Sequence, residues 1–267
     1  MIKISIITVC FNSKTYIEQT IKSVLSQSYK HIEYIVIDGG STDGTIDILG
    51  KYKEGIAVLV SEPDQNMYDA INKGMRLATG DYIAILNSDD FYLNKDVVAI
   101  VVSEVQKMSI HYKGVYGNLQ KFTADGLFIK RRKSVPVKFK TLLCAKKLTF
   151  VGHGTLFIDR SAYLEIGDYD CNHFMAAADY DYVLRLFKRF AFKYIDVDIM
   201  GFRVHKSSIT ASGKIIEEVH DVLSKNGYKE IFYIERMFRY YMSWTYFALK
   251  NIGNIKLNHL KSFLLKR

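Results

Sequence analysis

Ile32-Glu33-Tyr34-Ile35-Val36-Ile37-Asp38-Gly39-Gly40-Ser41-Thr42-Asp43-Gly44 is the stretch that decides the fold of this chain. Its first six residues read as a short strand, and the glycines and Asx residues behind them supply turn chemistry. Ser41 or Thr42 is available to cap a helix running through Leu49. Upstream, the apolar run Ile4–Val9 predicts a first strand, followed by a helix with Ile17, Ile21, Val24 and Leu25 on one face. Downstream, a third strand near Ile56–Val60 stops at Pro63. Met67–Ala78 then reads as a helix with Ala70, Ile71, Gly74 and Leu77 inward, closed by Gly80. A fourth strand, Tyr82–Leu86, runs directly into Asn87-Ser88-Asp89-Asp90. Alternating strand and helix implies a parallel sheet with helices on its faces and ligands at the strand C-terminal ends.

Beyond a helix near Asp96–Lys107 the pattern turns antiparallel: Gly114–Asn118, a hairpin around Ala124-Asp125-Gly126, and Thr155–Ile158. The expected fold class is α/β, with a mixed, mostly parallel sheet flanked by helices. A catalytic domain over 1–213 carries a helical, basic and aromatic C-terminal extension over 214–267.

With 267 residues and 49% apolar content the chain can bury a full core. Three dispersed cysteines, Cys10, Cys144 and Cys171, suggest neither a disulfide framework nor a thiolate zinc site and fit a reducing compartment. No signal peptide or membrane span is expected. The net charge of +9 is unevenly placed. Residues 130–147 hold eight Lys/Arg and no acid, and residues 228–267 hold eight against Glu230 and Glu235, which leaves an acidic remainder. The last segment also carries ten aromatics, Trp244 among them. That composition suits an interfacial helix on an anionic membrane, or a helix packed on the catalytic domain or a dimer partner.

Asp89 and Asp90 stand where the chain leaves the fourth strand, where hard cations such as Mn²⁺ or Mg²⁺ could bind with positions left for phosphate oxygens. A turn with Asp capping the next helix is the plainer reading. Asp38 likewise ends a strand at the ligand-facing edge, while Asp43 reads as a turn brace. Asp179 and Asp181 open a helix to Phe190 and, two apart, diverge by about 200°. Val183 and Leu186 share the Asp179 face, so that face is expected inward, with Asp181 elsewhere.

Ile6-Ile7-Thr8-Val9-Cys10-Phe11-Asn12, Ile37 to Thr45, and Ser61-Glu62-Pro63-Asp64 leading to Tyr68-Asp69-Ala70-Ile71-Asn72-Lys73-Gly74 together resemble family 2 glycosyltransferases of GT-A fold. The resemblance covers about residues 3–205 and points to the bacterial enzymes that build O-antigen and capsule repeats. It implies an inverting transfer of a sugar from a nucleotide-diphosphate donor, a UDP-sugar first, to a hydroxyl of an acceptor glycan that is plausibly lipid-linked. It also implies a cytoplasmic enzyme, peripheral on the inner face of the plasma membrane.

The resemblance assigns nucleotide binding to Thr8, Val9, Phe11, Asn12, Asp38, Asn72, Lys73, Asn87 and Ser88. It assigns the divalent cation, Mn²⁺ or Mg²⁺, to Asp89, Asp90 and the late His205, and the general base to Asp179 with Asp181 as alternative. His153 falls on the acceptor side. Two positions depart from the family pattern: Asn87 stands for the first Asp of the metal motif, and Ala178 for a Glu beside the base. A transferase-like protein without catalysis is therefore an alternative. A sugar nucleotidyltransferase would need a glycine-rich basic loop where Cys10-Phe11-Asn12-Ser13 stands, and a nucleic-acid-binding module would leave the acidic motifs unexplained.

Overall fold

The runs at 4–10 and 32–38 are buried at every position except Ile32, as strands covered on both faces by helices must be. In the computed structural model, which describes residues 1–144, 151–205 and 214–229, the chain begins with Ile4–Cys10 (β1), Ile17–Leu25 (α1), Ile32–Asp38 (β2), Thr45–Lys51 (α2), Val58–Ser61 (β3) and Met67–Leu77 (α3). It continues through Tyr82–Ile85 (β4), Phe91–Tyr92 (β5), Val97–Gln106 (α4), Tyr112–Thr123 (β6), Phe128–Arg132 (β7) and Phe139–Cys144 (α5). Leu156–Asp159 (β8), Arg160–Ile166 (α6), Ala178–Arg189 (α7), Ala191–Val204 (β9) and Lys214–Lys225 (α8) follow.

One sheet runs β3-β2-β1-β4-β8-β6-β9-β5, with β7 paired to β6 off this path. Parallel pairing aligns Cys10 with Asp38 and Asp38 with Ser61, while Ile7 faces Ile85. The four parallel strands therefore release Phe11, Gly39, Glu62 and Leu86 at the same edge. Beyond β4 the sheet turns mixed, because β8 is antiparallel to β4 and β6, and β5 to β9. This is the α/β class read from the sequence.

Helix α3 lies directly on β1 because Gly74 lets it: a Cβ there would sit 2.5 Å from Ile7 Cγ2. Ala70 and Ile71 face inward as expected, but Leu77 is 42% exposed at the end of α3. The cap expected from Ser41 or Thr42 is also corrected. Helix α2 starts from Gly44 at φ 96°, with no side-chain cap, and Asp43 instead accepts the Thr45 and Lys14 amides. Ser41 Oγ is taken up by Asp38 and the Asn12 amide.

Chain contacts gather Met1–Asn226 into one compact unit and Gly227–Arg267 into a second. Of the aromatic basic tail, residues 230–267 lie outside the described residues. No described helix is long and apolar enough to cross a membrane.

Candidate active site

At the common edge of the parallel strands a cavity of about 960 Å³ opens. One end of it is built from loops that β1, β2 and β3 release together. Phe11, 64% exposed, presents a free ring face there. Asn12 takes the left-handed φ of 49°, and its side chain accepts the Thr42 amide, which ties the two loops. Gly39 forms the floor between Phe11 and Asp64, since a Cβ would approach Asp64 Oδ2 to 3.2 Å. Asp64 was quoted in a motif but given no role. It lines the cavity, and burial raises its pKa despite the Lys73 ammonium 2.6 Å away.

Not every expected nucleotide contact reaches this space. Val9, Phe11, Asn12, Asn87 and Ser88 line it. Thr8 is fully buried and accepts from the Tyr34 hydroxyl. Asp38 is fully buried too; burial would raise its pKa, but donors from Ser41, Ser61 and Cys10 hold it below the usual value. Its oxygens also accept the Gly40 and Ser41 amides, so it shapes the turn. Asn72 clasps the Tyr169 backbone with both amide atoms, at 3.0 and 2.8 Å. Lys73 spans Asp64, Glu62 and the Pro63 carbonyl. Asp38, Asn72 and Lys73 thus serve the walls of the site.

Where β4 ends, Asp89 and His205 meet: Asp89 Oδ2 lies 2.8 Å from His205 Nε2, and the His205 ring packs against Tyr16. Asn87 Oδ1 is buried with no hydrogen-bond partner among the described residues. Asp90 departs from the expected ligand role. Its side chain is almost completely buried, one oxygen accepts the Arg203 amide at 3.1 Å, and burial, then the neighbouring Asp89, pushes its pKa up. It fastens β9 to the end of β4.

Arg203, two residues before His205, is the clamp of this region. It donates to the Asp89 and Ala124 carbonyls and to Gln19, and stacks at 4.6 Å over Tyr16. A buried arginine spends its donors on backbone oxygens, and this fixes where Asp89 and His205 stand.

No three His, Cys, Asp or Glu side chains gather as a metal cage among the described residues. Asp89, His205 and the orphaned Asn87 oxygen nonetheless fit an ion of the Mn²⁺ or Mg²⁺ kind. Such ions take one or two carboxylates and fill their other positions with phosphate oxygens and water. An imidazole donor favours Mn²⁺ of the two.

The far wall carries Asp179 at the start of α7. Its Oδ1 accepts the Tyr180 amide at 2.8 Å and the Tyr68 hydroxyl at 3.3 Å, and removal from water pushes its pKa up to about 6. Asp181 has no access to the cavity: it is fully buried, 2.8 Å from Arg185 Nε and 2.9 Å from Asn226 Nδ2. The expected facing was therefore half right. Asp179 does address the cavity, but Asp181 is the more deeply buried of the two, because α7 is covered on nearly every side. His153 lines the cavity 2.6 Å from the Tyr169 hydroxyl, and burial lowers its pKa to about 4, so it is neutral at pH 7. Tyr169 in turn stacks on Tyr68 and Tyr182.

Helix α7 has no side-chain cap of its own. Glu218 of α8 supplies one from a distance, accepting the Met175, Ala176 and Ala177 amides at 3.0, 2.9 and 2.8 Å. Its charge also raises the Asp179 pKa, after burial. Ala178 leaves the position beside Asp179 without an acid, and Glu218 brings one to the same helix start from 40 residues on. No local signal in the sequence links it to Asp179.

Residues 5–167 match the model of glycosyl transferase family 2. An uncharacterized glycosyltransferase of Mycobacterium tuberculosis is 37% identical over 185 residues, 68% of each chain. A putative teichuronic acid biosynthesis glycosyltransferase of Bacillus subtilis, TuaG, is 35% identical over 160 residues, 59% of this chain and 62% of that one. The chain thus spans about two thirds of these relatives' length.

Among solved structures, Staphylococcus aureus TarS 1–349 in complex with UDP superposes with a TM-score of 0.64 at 17% identity, covering 90% of this chain and 72% of that one. The Pyrobaculum calidifontis mannosyltransferase PcManGT in complex with GDP-Man and Mn²⁺ gives 0.62 at 19%, covering 83% and 63%. These two likenesses concern the fold.

Proposed function

Because the chain belongs to glycosyl transferase family 2 and has the GT-A fold, we propose that it moves a sugar from a nucleotide-diphosphate donor to an acceptor hydroxyl with inversion at the anomeric carbon. The observation that carries this reading is the arrangement of one cavity. A carboxylate poised near neutrality, Asp179, lines the same space as the Asp89–His205 pair and the exposed Phe11 ring.

In this reading the nucleobase lies on Phe11, between the Asn12 and Gly39 loops. Asp179, ionised above pH 6, takes the proton of the acceptor hydroxyl as its oxygen forms the bond to the sugar C1. The C1–oxygen bond to the donor diphosphate breaks in the same step, so no enzyme-linked intermediate forms. A divalent ion held by Asp89, His205 and Asn87 would supply charge stabilisation for the departing diphosphate. Neutral His153, held by Tyr169, orients the acceptor by hydrogen bonding. Asp38, Asn72 and Lys73 set the loops rather than touch the donor. The catalytic body over 1–213 depends on the first helix of the extension, since Glu218 braces the base.

A sugar nucleotide donor finds support in the UDP and GDP-Man complexes of the two neighbours, and a role in surface polysaccharide assembly in the TuaG likeness. A lipid-linked acceptor and an anionic membrane surface find support in the β6–β7 hairpin. Leu127 and Phe128 are 64% and 58% exposed at its tip, beside Lys130. The basic aromatic tail supports the same reading from its composition.

The test is mass spectrometry of the full-length protein incubated with a panel of UDP-, GDP- and dTDP-sugars, with Mn²⁺ and with EDTA. Release of one nucleoside diphosphate in Mn²⁺ alone is expected. No turnover of any donor would leave the catalytically silent reading.

A further inference from the structure

The β6–β7 hairpin sorts its cations by face. In an antiparallel pair, residues directly opposite project to the same side. Lys121 stands opposite Lys130 and Leu119 opposite Arg132, while Gln120 and Arg131 take the other side. On that other side the cations are neutralised by β9: Arg131 lies 2.7 Å from Asp198 and 3.2 Å from Asp196, and Lys133 lies 2.7 Å from Asp196.

The first side differs at Lys121. Lys121 and Arg132 line the cavity, and among the described residues Lys121 meets the Phe202 ring face at 5.5 Å and no carboxylate. Burial and the neighbouring Arg132 and Lys130 lower the Lys121 pKa. Like charges placed opposite one another across a strand pair are destabilising, so an oxyanion between them would relieve the hairpin as well as bind.

We propose that Lys121 and Arg132 form an anion subsite for a phosphate-ester group carried by the acceptor. The position on the sheet separates this subsite from the donor end. Lys121 is in register with Phe202 and Leu119 with Met200, and a Cβ at Gly154, next to His153, would lie 2.6 Å from Met200 Sδ. The pair thus stands on the wall built by β6, β7 and β9, the His153 side, whereas Phe11, Gly39 and Asp64 come from the parallel half. Arg132 also ends the strand whose other end exposes Phe128 and Ile129, so one strand runs from an apolar tip to a cation in the cavity. A phosphate ester with a long apolar chain fits that sequence of surfaces; a soluble sugar phosphate shares its head-group chemistry. The identity of this occupant as acceptor rests on the transferase reading, while the charge pattern does not.

The experiment is calorimetric titration of the full chain, with and without UDP and Mn²⁺, by glucose 1-phosphate and by its neutral counterpart methyl glucoside. A parallel arm measures binding to phosphatidylcholine vesicles with and without polyprenyl phosphate. The wild type should bind a phosphorylated probe and not the neutral one, and the two arms tell a soluble source from a lipid-borne one. Lys121→Met and Arg132→Gln should each weaken that binding about tenfold, the loss of one charge-assisted hydrogen bond, while Lys121→Arg retains it. UDP affinity should change less than about twofold, which also shows that the variants are folded. Equal binding of phosphorylated and neutral probes, no binding of either phosphorylated probe, or loss of UDP affinity in step with the probe would overturn the proposal. Failure of the wild type to bind UDP would count against the transferase reading instead, with the probe titration of the free protein still deciding the subsite.

Discussion

Asp179→Asn separates the cost of a desolvated charge from its use. The side-chain oxygen that accepts the Tyr180 amide and the Tyr68 hydroxyl survives in Asn, so the local hydrogen bonds survive too. What is lost is ionisation. Raising the carboxyl from 3.8 to about 6 penalises the charged form by about 3 kcal/mol. The folded pKa lies above the unfolded one, so this penalty is absent well below pH 4, grows as the pH rises toward 6 and is complete above it. Asp179→Asn should therefore raise stability in urea at pH 7.5 by up to about 3 kcal/mol, with the gain shrinking toward pH 4. Activity should move the other way. Loss of the base costs about 10²-fold or more in kcat. The wild-type kcat/KM should fall about tenfold between pH 7.5 and 5, as the ionised fraction drops, and that limb should vanish in the variant. The assays are urea denaturation and nucleoside diphosphate release across pH. A variant that keeps the acid limb, or is less stable than the wild type at pH 7.5, would refute the assignment.

Asp89→Ala should abolish turnover while leaving the urea midpoint unchanged, and EDTA should do the same reversibly in the wild type, read by product release before and after Mn²⁺ is restored. Asp181→Ala should behave oppositely: it strands Arg185 and Asn226 and should cost about 3–5 kcal/mol in unfolding free energy, with low-temperature turnover within a few-fold. Glu218→Gln should lower the acid limb of the pH profile, because Glu218's charge helps raise Asp179. Glu218→Ala should add a stability loss of about 1–3 kcal/mol from unmet amides at the start of α7.

The parallel half of the fold was legible because its first strands are mainly apolar runs stopped by Asx, Gly or Ser, and the Asn87–Asp90 turn inherits its place from β4. The antiparallel half was legible in part: β6, its hairpin to β7 and β8 stand where the pattern put them, whereas β9 was missed. β9 carries Lys193, Asp196 and Asp198 among its apolar residues; it pairs with β6 and β5, and its acids meet Gln120 of β6, Arg131 of β7 and Lys133 just past β7, which no local pattern reveals. The site divides along the same line. The structure brings Asp89 and His205 together as their positions suggested, whereas Asp38 and Asn72 are residue types that serve turns and struts as readily as ligands, and their hydrogen bonds within the protein are not readable from the sequence. Periodicity put Asp179 rather than Asp181 on the cavity side, but on a helix buried nearly all round it could not show that Asp181 is buried as well, and Glu218 and Arg203 act through backbone groups distant in sequence.

Single displacement at C1 is tested most directly by the configuration of the sugar as it is first released. With an α-linked UDP-sugar that the enzyme hydrolyses slowly, proton NMR in the first minutes should show the β anomer appearing before mutarotation, at a rate that collapses in Asp179→Asn. Initial formation of the α anomer would contradict direct attack assisted by Asp179 and require a covalent or otherwise retaining route.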